Sequence, residues 1–321
     1  MNQLSFYQSS KAFDLQAIQL YEKQFTNNPI YRSFCDLVHK HPSDCESVIE
    51  IPFLPISFFK THKVLTGNPE CSHIFESSGT GGKTSSHHVA DIEVYEQSFF
   101  NCFELFYGHP NQFAVIGLLP RYLEKPNSSL IYMMQKLIEI SDCVDSGFYL
   151  DNYQKLHDVL KRREQANQKT FLLGVSFALM DFAEQFPSSL QHTIVVETGG
   201  MKGRRKELVR EELHAQLKQN LEVRDIQSEY GMTELLSQAY AKDNGRFRCP
   251  PWMKVLVRNP NNPLDIQAHG TGCLNIIDLA NKNSCAFIGT DDLGRIYSDG
   301  TFEVIGRADS SDVRGCNLMV S

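Results

Sequence analysis

Short, wholly apolar runs alternate with helix-length amphipathic stretches through the middle of the chain. Phe113-Ala-Val-Ile-Gly-Leu-Leu119, Thr170-Phe-Leu-Leu-Gly-Val175 and Thr193-Ile-Val-Val196 have the length and composition of strands buried on both faces. Ahead of the first of them, Phe99, Phe103 and Phe106 recur at helical spacing within Val94–Phe106. Ser129–Ile140 and the residues from Ser176 through Phe186 also predict helices, and Leu208, Leu213, Leu217 and Leu221 line one side of another. Helices alternating with buried strands predict an α/β fold built on a parallel sheet. His73–Glu76 and the apolar-alternating Leu221–Ile226 predict further strands. Residues 1 to about 70 read as helical pieces and an extended, proline-containing segment.

From about residue 244 the pattern turns to strands, at Lys254–Val257, at Cys273–Ile277 and in the hairpin-like Tyr297–Val304. No internal repeat, low-complexity tract or long linker interrupts the chain. The expected organisation is one core domain over residues 1–305, β-rich from about 244, followed by a short tail over 306–321.

Candidate chemistry begins at Glu76-Ser-Ser-Gly-Thr-Gly-Gly-Lys-Thr-Ser85, a glycine- and hydroxyl-rich run just after the predicted His73–Glu76 strand. Such a loop brings backbone N–H and side-chain O–H groups close to a phosphate, and it also has the composition of an ordinary surface turn. Gly82-Lys83-Thr84 fits the end of the G-x-x-x-x-G-K-[ST] pattern, but Ser77 stands where its first glycine is required, so a P-loop kinase is disfavoured. Three later segments add to the picture. Glu229-Tyr-Gly-Met-Thr-Glu234 carries a Thr and a Glu just after a glycine, which suits a phosphate contact and an oxygen ligand for Mg²⁺. Gly289-Thr-Asp-Asp-Leu-Gly-Arg295 places adjacent carboxylates at an expected turn, where they can accept from ribose hydroxyls or form an Asp-Gly hairpin. Val304-Ile-Gly-Arg-Ala-Asp309 follows.

In this order and spacing the four segments resemble the core motifs of the adenylate-forming superfamily. Ile51-Pro-Phe-Leu-Pro-Ile-Ser-Phe-Phe-Lys-Thr-His-Lys63, Glu197-Thr-Gly-Gly-Met-Lys-Gly203 and the short C-terminal ending narrow the likeness to the LuxE acyl-protein synthetases, over nearly the whole chain. The resemblance implies the large α/β domain of adenylate-forming enzymes, with layered parallel sheets and a β-rich C-terminal part, lacking the small C-terminal domain. It implies ATP-dependent conversion of a fatty or other carboxylic acid to an acyl-adenylate, with Mg²⁺, and transfer of the acyl group to a thiol. That thiol is its own cysteine, a partner protein or CoA, and an acyl-reductase or acyl-transferase partner is implied with it.

Carried over residue by residue, Ser77, Ser78, Gly79, Thr80 and Gly82 would hold the phosphates, and Thr198, Gly199 and Gly200 would lie against the adenine. Tyr230, Gly231, Met232 and Thr233 would continue the nucleotide and acyl pocket, Glu234 would bind Mg²⁺, and Asp292 would take the ribose hydroxyls. Arg307 would sit near ribose or phosphate, and Asp309 falls at the hinge position. Cys316, in Arg314-Gly-Cys316, stands where such proteins carry the acyl-accepting cysteine, beside an arginine that lowers a thiol pKa. Two departures stand out. Thr84-Ser85 replace the usual Pro-Lys at the end of the loop, and the usual C-terminal-domain lysine has no counterpart. Lys83, Lys202 and Arg307 are the candidate replacement cations.

Composition sets limits. The 321 residues are 41% hydrophobic, and 38 acids against 31 bases give a net charge of −7, which argues against a nucleic-acid partner held by bulk charge. No apolar run is long enough to span a membrane, and the first residues lack the features of a signal peptide. Nine cysteines without C-x-x-C spacing point to reduced thiols in the cytoplasm and away from zinc. His87-His88 falls one residue short of the H-H-x-x-x-D acyltransferase pattern, because Asp91 comes too early. Lys202, Arg204, Arg205 and Lys206 precede the leucine-lined helix and suit an anion such as pyrophosphate or, more simply, a solvated face.

Other functions stay open at this level. One is an acyl-CoA or aryl-CoA ligase. A second is a serine hydrolase or acyltransferase using Ser176, because Gly174-Val-Ser-Phe-Ala178 resembles a nucleophile elbow with Ala178 in place of its last glycine. A third is a degenerate, non-catalytic acyl- or nucleotide-binding protein.

Overall fold

The computed structural model describes residues 10–77, 84–120, 127–199, 208–243 and 245–308. Chain order begins with α1 (Ser10–Asn27) and α2 (Pro29–Leu37), then β1 (Leu54–Pro55), β2 (His73–Glu76), β3 (Ser86–Val89), α3 (Ile92–Tyr107) and β4 (Ala114–Leu118). It continues with α4 (Ser129–Ser141), β5 (Gly147–Phe148), α5 (Tyr153–Gln165), β6 (Thr170–Val175), α6 (Ser176–Gln185), β7 (Thr193–Thr198), α7 (Arg210–Leu221), β8 (Ile226–Tyr230) and β9 (Ala239–Ala241). The last strands are β10 (Met253–Asn259), β11 (Asn262–Gln267), β12 (Gly270–Asp278), β13 (Phe287–Ile296) and β14 (Phe302–Arg307). These elements divide into two compact units.

The first unit holds residues 1–95, 233–237 and 248–321. Its sheet runs β1-β13-β12-β10-β11, with β14 also paired to β13. The strands β10 to β14 are antiparallel, and only the short β1 joins in parallel. Antiparallel neighbours need only short turns. One is the predicted Tyr297–Val304 hairpin, where Gly300 takes a φ of 79°. Helix α2 starts at the Asn28 cap, whose side chain accepts from Tyr31 N–H, with Pro29 at the first helical position. Tyr21, Tyr31, Phe53 and Phe287 pack as one aromatic group, Tyr31 stacked on Phe287 at 5.8 Å and Tyr21 meeting it edge-on at 6.1 Å. Gln24 secures the same region by donating to the carbonyls of Asn281, Lys282 and Ser284 and accepting from Ala286 N–H.

The second unit holds residues 96–232 and 238–247. Its sheet order is β5-β4-β6-β7-β8-β9, parallel except for β9. Every residue of β4 and β6 is buried, as their unbroken apolar runs predict for strands covered on both faces. Gly117 is required where Phe148 crosses the sheet, since a Cβ there would lie 2.7 Å from its ring.

Two expectations fail for local reasons. Leu221–Ile226 is not a strand: Leu221 closes α7, Glu222 takes the left-handed cap conformation, and the strand is Ile226–Tyr230. Leu221 and Val223 belong to a helix end and its exit, which mimic alternation over a short window. Gly289–Arg295 is not a turn but lies within β13. There the Asp-Asp pair is carried by ladder hydrogen bonds to β12 and β14, which override its turn preference.

Candidate active site

In the first unit, the loop after β2 is closed at its base. Ser77 N–H donates to the Ser85 carbonyl at 3.0 Å, and Ser85 N–H returns a bond to Ser77 Oγ at 2.9 Å. Ser78, Gly79, Thr80, Gly82 and Lys83 lie outside the described residues, as do Gly200, Lys202, Arg204, Arg205, Lys206, Asp309 and Cys316. Thr84-Ser85, which replace Pro-Lys, have a structural consequence: the Ser85 hydroxyl bonds the Glu234 carboxyl.

Glu234 is buried at 4% exposure. Burial pushes its carboxyl up, against the Ser85 hydroxyl, its own backbone N–H and the positive fields of Lys60 and Arg307. Among the described residues no cation forms an ion pair with Glu234, and a buried carboxylate of this kind fits a divalent metal, because oxygen ligation would offset the desolvation. Among the described residues no cluster of three or more His, Cys, Asp or Glu side chains competes for that role.

The peptide carrying Glu234 is held from behind. His87, fully buried on β3, contacts the Thr233 carbonyl through Nδ1 at 2.9 Å. Its Nε2 lies 3.1 Å from Asn281 Oδ1, and Asn281 Nδ2 donates to the Glu234 carbonyl at 2.8 Å. Burial lowers the imidazole to about 4, so the ring is neutral at pH 7. Leu236 N–H and the Ser237 hydroxyl both donate to the buried Asp278, at 2.8 and 2.6 Å. Both sides of the Thr233–Ser237 segment are therefore pinned by residues more than forty positions distant in sequence.

Asp292 and Arg307 are register partners across β13 and β14, with Nε 3.6 Å from Oδ1. The ladder shifts register at Leu293/Gly294 and, on the β12 side, between Cys273 and Asn275. Arg258 ties this irregular region together by donating to Asn275 Oδ1 at 2.8 Å and to the carbonyls of Leu274 and Thr290. Arg307, among the expected cations, is thus placed by Asp292 and acts on Glu234, while Lys60 is a cation near Glu234 that the motif reading missed.

In the second unit, Thr198 ends β7 and Gly199 turns the chain with a φ of 66°. Glu197 sits opposite Ser228, and Thr198 opposite Glu229. Glu197 accepts from Ser228 Oγ at 2.8 Å and from Ser176 Oγ at 3.1 Å, with Arg210 Nε at 3.5 Å and His214 Nε2 at 3.6 Å. Burial raises its carboxyl, but the His214 hydrogen bond and the Arg210 charge win and hold it below the ordinary value. Arg210 also lies over Phe247, whose ring meets Tyr230 at 5.8 Å. Glu229 has no such compensation, and burial lifts it to about 7 despite the bond from Thr198 Oγ1.

Ser176 opens α6 after β6, as an elbow would, but its hydroxyl is directed to Glu197 and the Gly199 carbonyl. The acid lies between the serine and His214, the reverse of the order that activates a nucleophile. Ser176 therefore serves to fix the Glu197–Gly199 turn. Glu197 and Glu229 open two of the quoted segments and His87 lies in the His87-His88 pair, but the sequence reading assigned none of the three a role in the site.

The sequence model for the family described as acyl-protein synthetase, LuxE, matches residues 2–321. A long-chain-fatty-acid–luciferin-component ligase of Aliivibrio fischeri is 23% identical over 99% of this chain and 90% of its own length. A 2-hydroxyisobutyryl-CoA ligase structure aligns with a TM-score of 0.62 at 10% identity, over 92% of this chain and 67% of the other. ATP-bound MatB from Rhodopseudomonas palustris aligns at 0.56 and 13% identity, over 75% of this chain, which spans about half of that structure (49%). The fold is that of the adenylate-forming enzymes' larger domain, and among the described residues no helix is long and apolar enough to cross a membrane. With the family match running from the second residue to the last, the chain belongs to the LuxE family of acyl-protein synthetases.

Proposed function

We propose that this ligase activates a carboxylic acid, of the fatty type named for its Aliivibrio fischeri relative, with ATP and hands the acyl group to a protein thiol. The observation that carries the reading is the buried Glu234 carboxyl, bonded by Ser85 and set in the fields of Arg307 and Lys60. In the first half-reaction the carboxylate oxygen attacks the α-phosphorus, the bond to pyrophosphate breaks, and an acyl-adenylate forms. In the second, a thiolate sulfur attacks the acyl carbon and AMP leaves with the bonding electron pair.

The residues divide the work by position. Ser77 and the loop residues Ser78, Gly79, Thr80, Gly82 and Lys83 receive the phosphates, Thr198, Gly199 and Gly200 flank the base, and Asp292 accepts from the ribose. Tyr230, Gly231 and Met232 continue the nucleotide and acyl pocket. Glu234 would hold Mg²⁺, which supplies neutralisation of phosphate charge when bound. Thr233 is offered to a phosphate oxygen through its hydroxyl, while its carbonyl is engaged by His87. Arg307 meets the negative charge that grows on the departing side, and Asp309 serves as the hinge.

Cys316 is the acceptor in the chain's own sequence. Burial raises Cys35 and Cys249 to about 12 and also lifts Cys45, Cys273 and Cys285, so none of these five is a thiolate at neutral pH. ATP–pyrophosphate exchange over a panel of carboxylic acids tests the first half-reaction. Hydroxamate trapping of the activated acid separates an active ligase from a protein that only binds. Absence of both, with Glu234 intact and the protein folded, would refute the reading.

A further inference from the structure

In the first unit, β1 and β14 lie end to end along one edge of β13, the edge opposite β12. Pro55 is the register partner of Gly289, and Arg307 that of Asp292. β1 runs parallel to β13 and β14 antiparallel, so the chain leaving Pro55 and the chain leaving Arg307 head for the same two residues, Thr290 and Asp291. Ala308 N–H completes one approach by donating to the Asp291 carbonyl at 2.7 Å. The short helical turn Ile56–Lys60 makes the other, and it packs on both β13 and β3. Its buried Phe59 ring meets His87 edge-on at 5.7 Å, and His87 contacts the Thr233 carbonyl. The turn is thereby fixed beside the peptide that carries Glu234.

Lys60 ends this turn, is exposed, and forms no ion pair among the described residues. Its positive charge reaches the Glu234 carboxyl, as that of Arg307 does. The cations next to it are engaged elsewhere: His62 stacks on Phe58 at 5.2 Å and contacts Thr61 Oγ1, and the charge of Lys63 acts on His88. Of the cations named from the sequence, Arg307 is drawn to Asp292, and Lys83 and Lys202 lie outside the described residues.

We propose that Lys60 is a catalytic residue of the adenylation step, its ammonium contacting an α-phosphate oxygen of ATP as the acid attacks. The inference rests on the adenylation reading, which puts the phosphates beside Glu234. A carboxylate and a triphosphate repel each other, and negative charge builds around phosphorus as the new oxygen–phosphorus bond forms and the bond to pyrophosphate breaks. Lys60 meets that charge with no proton changing hands, while Arg307 meets the charge on the departing side. An ammonium on a flexible stem can follow the phosphorus through the step.

The experiment measures ATP–pyrophosphate exchange with hexadecanoate, ATP varied, for wild type, Lys60→Met, Lys60→Arg and Lys63→Met, with thermal unfolding as the control. Lys60→Met should lower kcat roughly 100-fold and change the KM for ATP by less than about 3-fold. Lys60→Arg keeps the charge and should recover on the order of 10-fold, and Lys63→Met should match wild type. All four should unfold alike, since both lysines are exposed. Lys60→Met turning over like wild type overturns the proposal. So does a rise in KM alone, a fall that Lys60→Arg does not relieve, or an equal fall in Lys63→Met, which would make the effect one of general charge. Lack of exchange by wild type refutes the adenylation reading itself, before any variant is compared.

Discussion

His87 and Thr233, 146 residues apart in sequence, meet where the imidazole Nδ1 lies 2.9 Å from the Thr233 carbonyl. The carbonyl only accepts, so this contact is a hydrogen bond when the ring proton is on Nδ1; Asn281 Oδ1 at Nε2 also only accepts, and a neutral ring donates to one of the two. The contact sets the height of the peptide that carries Glu234. His87→Asn keeps a donor at the same reach and should leave the Mg²⁺ requirement near wild type. His87→Leu removes it and should raise the Mg²⁺ concentration for half-maximal exchange roughly 10-fold, the worth of one buried hydrogen bond. A Mg²⁺ titration of both variants, with thermal unfolding as the control, checks this.

The proposed roles of Asp292 and Arg307, register partners across β13 and β14, divide affinity from rate. Asp292→Asn keeps the strand register but loses the acceptor pair for a ribose, and should raise the KM for ATP more than it lowers kcat. Arg307→Met should lower kcat by about 10²-fold with a smaller change in KM, as expected for a charge that acts as the leaving group departs. Steady-state exchange kinetics with ATP varied would separate the two.

Glu229 predicts a pH-dependent stability. Its folded value, about 7, lies above the ordinary glutamate value. Its contribution is therefore fully present below about pH 4.3 and is lost as the pH rises through 7. Glu229→Gln should remove that downward slope and leave the variant more stable than wild type at pH 8, by on the order of 3 kcal/mol at most. Urea unfolding from pH 5 to pH 8 measures it, and identical slopes would show that the buried carboxyl does not titrate there.

Glu197 behaves in the opposite sense. Its folded value is depressed, so its stabilisation is present above the unfolded value of about 4.3 and is lost as the pH falls through the folded value. Arg210→Leu, which strips a charge partner from a buried carboxylate, should cost about 3 kcal/mol. It should also bring acid unfolding to higher pH, readable by circular dichroism.

Cys316→Ser should abolish the thioester-linked acyl label while ATP–pyrophosphate exchange continues unchanged. The label is measured with radiolabelled acid and its release by neutral hydroxylamine. Persistent label in the variant would assign the acceptor to another thiol.

The sequence by itself determined the parallel α/β unit, because runs such as Phe171-Leu-Leu-Gly-Val175 have no stable alternative to a strand buried on both faces. The order of the segments proposed to meet a nucleotide is also legible in the sequence, since small, hydroxyl and acidic residues carry their chemistry in their identity. Tertiary structure decided what lies behind those motifs. His87 and Asn281 are 194 residues apart, and nothing local in either marks it as the brace of Glu234. Asp292 looked like a turn residue until the ladders of β12 and β14 drew it into a strand. Glu197 and Glu229 are identical side chains on neighbouring strands, yet one is held ionised by Arg210 and His214 while the other is lifted to about 7. The reason is that charge state depends on desolvation and partners, and both are fixed by residues that only folding brings within a few ångströms.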